Sequence, residues 1–169
     1  MNIAPELLPA VADLQDSFAG RFAAVLAPRP NEVYLHVPAD LVAGCCAHLY
    51  RKWDARLVSL FADDARPAEA AFHLYYVFAL DAAHGFVILR APVSPDRPEF
   101  TSLTDAIHAV NWQEREIQDL FGLQLLGHPN PRRCALHDDW PAVHPLRKDF
   151  DLHTTLPPFQ GVRHKFREV

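Results

Sequence analysis

Six prolines follow Gly127, at positions 129, 131, 141, 145, 157 and 158, and they limit what the end of this chain can fold into. Proline has no backbone N–H and its ring blocks the turn before it, so neither a helix nor an inner strand runs through such a stretch. Residues 127–169 are therefore predicted to lie extended, a tail of roughly 40 residues without elements of its own, which is unusual for a closed monomer. A tail of this kind needs a surface to lie on, either the body of the chain or a partner.

The segment before the tail has the opposite character. Ser102 and Asp105 have the S-x-x-D spacing of a capping box, which predicts a helix over 102–121. At 100° per residue, Leu103, Ile107, Val110, Ile117 and Phe121 fall on one stripe, and Glu114 falls in its centre. A carboxyl group on an apolar face is costly unless a basic partner or hydrogen-bond donors meet it, or it takes up a proton. The expected partner is an arginine of the tail, Arg132, Arg133 or Arg147, in a buried ion pair that pins the tail to the helix. Trp112, Glu116 and Asp119 fall on the opposite side with Arg115 at its flank, an outer face suited to docking because tryptophan is enriched at interface hot spots. Arg115 and Asp119, four apart, are placed to pair along the helix surface. Gly122 is predicted to end the helix in a left-handed conformation.

Upstream, apolar spacing predicts a helix over 5–26 that Pro28 and Pro30 terminate. Residues 32–37 alternate at strand period, and Asp40 is the expected N-cap of a second helix reaching Trp53. Three apolar runs follow, 56–61, 72–80 and 86–91, with hairpin chemistry between the last two and Gly85 available for positive φ. Consecutive strands after a short helical start predict a two-layer α+β domain, a mixed β-sheet covered by helices, with the extended Pro-rich tail appended. The expected division is a core over 1–126 and a tail over 127–169. A doubly wound dinucleotide fold is excluded by the missing strand–helix alternation and glycine-rich turn.

Composition narrows the function. A net charge of −5 argues against general nucleic-acid binding, which draws on a basic surface. No apolar run nears the roughly 20 residues of a spanning helix, and the N-terminus lacks a signal peptide's basic region, so a soluble cytoplasmic protein is expected. Cys45 and Cys46 are adjacent and Cys134 stands alone, which suits buried or inert thiols in a reducing compartment and not a cluster or zinc site. His128, His137, His144 and His153 lie at intervals that match no compact metal motif. Basic charge concentrates locally at Arg132, Arg133, Arg147 and Lys148, beside Asp149 and Asp151, an arrangement fit for fixed salt bridges to a partner.

Four blocks in one order are far more specific than any of these features alone: N-W-Q-E-R-E-I-Q-D-L-F-G over 111–122, G-H-P-N-P-R-R over 127–133, L-H-D-D-W over 136–140 and H-P-L-R-K-D-F over 144–150. They resemble the signature of the 30-kilodalton subunit of respiratory NADH:quinone oxidoreductase (complex I), a domain shared with energy-converting [NiFe] hydrogenases of the formate hydrogenlyase type. The residues that carry the resemblance include Trp112, Glu114, Arg115, Glu116, Asp119, Gly122, His128, Arg132, Arg133, Trp140, Arg147, Lys148 and Asp149. Pro131 stands where the family has leucine, and Val143 where it has glycine before the late His-Pro-Leu-Arg. The run L-P-P-F-Q-G over 156–161 resembles the linker into the large subunit of the hydrogenase branch.

The resemblance implies a non-catalytic structural subunit of a peripheral arm, membrane-associated on the inner face of the cell membrane. It implies docking against the large hydrogenase-like (D-type) subunit of such a complex, beside iron–sulfur subunits. It also implies that the chain binds no cofactor itself, with NAD, quinone, iron–sulfur clusters or a NiFe centre in its partners. The alternative from the residues alone is a free-standing acid/base enzyme using Glu114 and Asp119.

Overall fold

Alternating apolar residues make the strands, and in the computed structural model they assemble into one five-stranded sheet. The structure describes residues 2–22 and 24–151. The elements run α1 (Leu8–Ser17), β1 (Ala24–Arg29), β2 (Glu32–His36), α2 (Val42–Lys52), β3 (Arg56–Asp64), a one-turn helix α3 (Arg66–Glu69), β4 (Phe72–Leu80), β5 (Gly85–Val93), β6 (Glu99–Thr101), α4 (Asn111–Phe121) and β7 (Gln124–Leu126). Strand order is β1-β2-β5-β4-β3, antiparallel except where β2 runs parallel to β5. The short β6 and β7 form a separate parallel pair. This is the mixed α+β architecture expected from the sequence.

Register explains which face is buried. Val33, Leu35, Val87, Leu89, Leu74, Tyr76, Phe78 and Leu60 share one face and pack with Leu7, Leu14, Cys46 and Leu49 of the N-terminal segment, α1 and α2 and with Ile117 and Phe121 of α4. Side chains of the alternate parity, among them Leu26, Tyr34, Phe61 and Phe86, sit on the other face, where Phe61 and Tyr75 stack 4.9 Å apart. Helices α1 and α2 are clasped by Asp13, whose carboxyl accepts from His48 Nε2, Lys52 Nζ and Trp53 Nε1. The His48 bond first, then Lys52 and Trp53, hold that carboxyl well below the usual range.

Several boundaries differ from the sequence expectation. The helix over 5–26 stops at Ser17, because Ala19 and Gly20 adopt left-handed conformations (φ 54° and 65°) that no helix continues. The chain then re-forms as β1, where Val25 pairs with Leu35. Spacing at Phe22 and Val25 fits either element, and Pro28 is tolerated because β1 is an edge strand with a register irregularity between Leu26 and Arg29. Asp40 does not cap α2, which starts at Val42; its carboxylate pairs with Arg21 at the surface. In the β4–β5 hairpin the positive φ belongs to His84 (47°), not Gly85. Gly85 is required for closeness: a Cβ there would stand 2.8 Å from Leu7 Cδ1 and 2.9 Å from the Asn31 carbonyl oxygen.

Gly85→Ala should therefore destabilise the fold by about 1–3 kcal/mol through overpacking against backbone. Urea unfolding monitored by circular dichroism measures it; an unchanged midpoint would show that β2 and the N-terminal segment yield freely.

Candidate functional site: a charged helix that holds the tail

Helix α4 starts at Asn111, not at Ser102. Ser102 and Asp105 do not form the expected capping box; Ser102 instead serves the carboxyl of Glu114. Glu114 is fully buried, at 0% exposure. Its Oε2 accepts from Ser102 Oγ and Thr104 Oγ1, both at 2.7 Å, and its Oε1 accepts the Leu103 N–H at 2.6 Å. The expected ion pair with Arg132, Arg133 or Arg147 is not made. Hydroxyl and amide donors of the 102–104 segment satisfy the group, and an arginine would have to carry its charge into the core to do the same.

Below this cluster sits His128, the first buried residue of the tail. Its Nδ1 accepts the Asn130 N–H at 3.0 Å, so the neutral ring carries its hydrogen on Nε2, which faces Glu114 Oε2 at 3.8 Å. The phenol of Tyr76 and the thiol of Cys46 are also fully buried, and desolvation, reinforced by neighbouring charge including that of Glu114, pushes both far up. Desolvation likewise raises Cys45 to about 12, so the adjacent thiols are inert. Cys134 is partly exposed and raised by desolvation.

Arg115 and Asp119 are buried, which corrects the placement of Asp119 on the outer docking face with Arg115 at its flank, and each is engaged by tail backbone instead of by the other. Arg115 donates from Nε to the Arg132 carbonyl (2.7 Å) and from a terminal nitrogen to the Arg133 carbonyl (3.0 Å), while its guanidinium lies 4.6 Å over the Trp112 ring. Asp119 Oδ2 accepts the N–H groups of Cys134, Ala135 and Leu136. An irregular segment cannot satisfy its own peptide groups, and these two side chains do so for it. Arg132 and Arg133 thus meet the helix through their carbonyls, not as forks on carboxylates, and the Arg133 guanidinium donates to the His137 and Trp140 carbonyls.

Farther along, the tail closes over the end of α4. Gly122 takes the predicted left-handed conformation (φ 67°), and His144 packs so close that a Cβ at 122 would collide with its ring. His144 Nδ1 donates to the Asp119 carbonyl, and Arg147 donates to the Phe121 carbonyl at 2.6 Å, covering groups the helix end leaves free. The last clamp lies at the edge of β3. Buried Asp64 takes two bonds from the Arg66 guanidinium and one from the Lys148 N–H, and Arg66 also grips Asp149 at 2.9 and 3.2 Å. Lys148 contributes its backbone to this clamp, not its ammonium group. The Arg66 bonds hold both carboxyls below their usual range.

Exposure divides the predicted site residues differently from their order in sequence. Trp112 is 65% exposed, Glu116, Arg132, Arg133, Lys148 and Asp149 are exposed, and Trp140 is half-buried. Asp64, Arg66 and Thr104 carry no signal in the sequence that points to their part in the site. Ser102 does carry one, its three-residue spacing to Asp105, but that spacing points to a cap.

The model of the respiratory-chain NADH dehydrogenase 30 Kd subunit matches residues 35–156. The chain belongs to that family. Hydrogenase-4 component G of Escherichia coli (strain K12) is 36% identical over 141 residues, covering 82% of this chain and 25% of the relative. The NADH-quinone oxidoreductase C-type subunit of Moorella thermoacetica is 38% identical over 123 residues, covering 71% of this chain and 80% of the relative. A relative from Methylococcus capsulatus, named as the C/D subunit of NADH-quinone oxidoreductase, is 36% identical over 97 residues, or 57% of this chain and 16% of that one. The chain thus spans about a quarter of the hydrogenase relative and most of the Moorella one. The trypsin-resistant fragment of Nqo5 shares the fold with a TM-score of 0.63 at 19% identity, over 74% of this chain and 98% of that one. A chain of the membrane-bound sulfane sulfur reductase, an archaeal respiratory membrane complex, shares it with a TM-score of 0.71 at 20% identity, over 86% and 85%.

Replacing Glu114 with leucine should orphan two hydroxyls and one amide and cost at least about 3 kcal/mol, whereas Glu114→Gln should cost about 1 kcal/mol because the hydroxyls can rotate to accept from its amide. Chemical denaturation of both variants gives the comparison; equal losses would mean that the charge, and not the donor set, holds the cluster.

Proposed function

We propose that this chain is a non-catalytic structural subunit in the peripheral arm of a complex I-type or energy-converting hydrogenase-type assembly. Its tail and the exposed side of α4 dock on the large hydrogenase-like subunit, and the redox centres, whether NAD, quinone, iron–sulfur or NiFe, belong to partner subunits. The observation that carries this reading is the tail between 127 and 151. It has no helix or strand, yet α4 and the β3–α3 corner fix it in place, through its backbone at 132–136 and 148 and through the side chains of His144, Arg147 and Asp149. Other side chains of the tail and its neighbours are left for a partner: Trp112, Leu126 and Leu146 are exposed, as are Arg132 and Lys148. A large aromatic beside arginine is the composition of an interface hot spot. The existence of relatives whose name joins C and D supports adjacency to the large subunit. The stretch over 156–161 that resembles a hydrogenase linker lies outside the described residues.

Geometry gives the acid/base alternative little. Glu114 is sealed in the core by three donors, Asp119 is occupied by three tail amides, and the two carboxyls serve different segments. Neither is free to reach a substrate proton. No helix among the described residues is long and apolar enough to cross a membrane, which accords with a peripheral position.

Tagged chain expressed at native level should recover a large hydrogenase-like subunit and iron–sulfur partners, identified by mass spectrometry. Trp112→Ala should cut that recovery by at least about tenfold, since a hot-spot tryptophan contributes about 2 kcal/mol or more, while costing the isolated chain no more than the roughly 0.5–1 kcal/mol of its exposed stacking on Arg115. Recovery of the chain alone, or full recovery with the variant, would remove the docking reading.

A further inference from the structure

The short helix α3 connects two charge clusters on opposite sides of the sheet. At its C-terminal end, Glu69 accepts two 2.7 Å bonds from Arg90 of β5 and one of 3.1 Å from His73 Nε2 of β4. At its N-terminal end, Arg66 forms the Asp64–Asp149 clamp that holds the tail. Because a carboxylate oxygen can only accept, His73 carries its hydrogen on Nε2, and its Nδ1 is a buried lone pair without a partner. Adding a proton at Nδ1 would place a charged donor where no acceptor meets it, beside a fixed guanidinium.

We propose that α3 is a proton-sensitive coupling: when His73 and His36, the register partner of Arg90 on β2, take up protons, α3 lifts to admit water to the His73 imidazole, and Arg66 loosens its grip on the tail. The groups that face these rings are Arg90 of β5, Glu69 of α3 and Asp63 of β3, with the Tyr75 hydroxyl accepting from Arg90. Desolvation first and Arg90 second lower both imidazoles, outweighing the opposite pull of Glu69. A lowered imidazole means that the docked arrangement binds fewer protons than the open one. Its stability is therefore full above the ordinary imidazole value, about 6.5, and falls as the pH drops below it. Asp64 and Asp149 cannot produce this response, because Arg66 holds both below even the ordinary carboxylate range. A single helical turn separates the two clusters, and Ala70 behind it sits in the left-handed region at φ 52°, so a change at Glu69 has only a short path to Arg66.

The test reads both ends of the coupling in the full chain. The imidazole of His73 is followed by NMR, and the Lys148 amide, bonded to Asp64, by hydrogen exchange corrected for intrinsic rate. Protection at Lys148 should be constant above about pH 6.5, fall about tenfold as the pH drops below it, and level off where His73 itself titrates in the docked chain, because the opening is linked to imidazole protonation. In the double variant His36→Gln, His73→Gln, whose amide at 73 can still donate to Glu69, protection should stay constant. A flat wild-type profile, a fall that continues below the pH at which His73 titrates, or an equal fall in the variant would each overturn the coupling, and the first two need no variant to fold.

Discussion

Three charged side chains of α4 satisfy backbone that no regular element satisfies, and the arrangement around the helix depends on them. Glu114 takes the hydroxyls and the amide of the 102–104 segment on the core side. Arg115 and Asp119 take two carbonyls and three amides of the tail. Burying an unpaired charge and burying an unpaired peptide group are each unfavourable, and here each cancels the other. The helix is consequently amphipathic in an unusual sense. Three of its charged positions are as buried as its apolar ones, and of its eleven residues only Trp112 and Glu116 are exposed.

This design explains how a proline-rich segment can be placed without secondary structure. Each proline removes one donor, so the segment has fewer amides to satisfy, and those of Cys134, Ala135 and Leu136 converge on one carboxyl oxygen. Arg147 and Arg66 finish the task around the Phe72 ring, their guanidinium groups lying 5.5 and 4.7 Å from its centre. A surface assembled in this way is set largely by bonds between side chains and backbone, with the tail contributing backbone at 132–136 and side chains at His144 and Arg147.

Much of this is legible in the sequence, and the failures have physical causes. The sheet strands, the Gly122 terminator and the oddity of Glu114 follow from periodicity and residue type, because period and φ are local properties. The partner of Glu114 does not. Burial says that donors are needed, but arginine, serine and a backbone amide all qualify, and only the fold decides which is near. Asp119 is misplaced on a helical wheel for a related reason: the side opposite the core looks solvated there, whereas the tail returns to cover it. β1 looks helical in sequence because Phe22 and Val25 suit both periods, and the break at Ala19 is carried by a residue type that rarely adopts positive φ.

The parallel pairing of β2 with β5 has a consequence for how the chain reaches this state. Strands β3, β4 and β5 follow one another as a meander, but β2 must wait for a partner as distant in sequence as Val87 is from Val33. Closing that span precedes any gain from the contacts it makes, so this pairing carries the largest loop-closure cost in the sheet. Without that pairing the edge of β5 would stand open beside an apolar face, and the central strand of the sheet would become its most adhesive part.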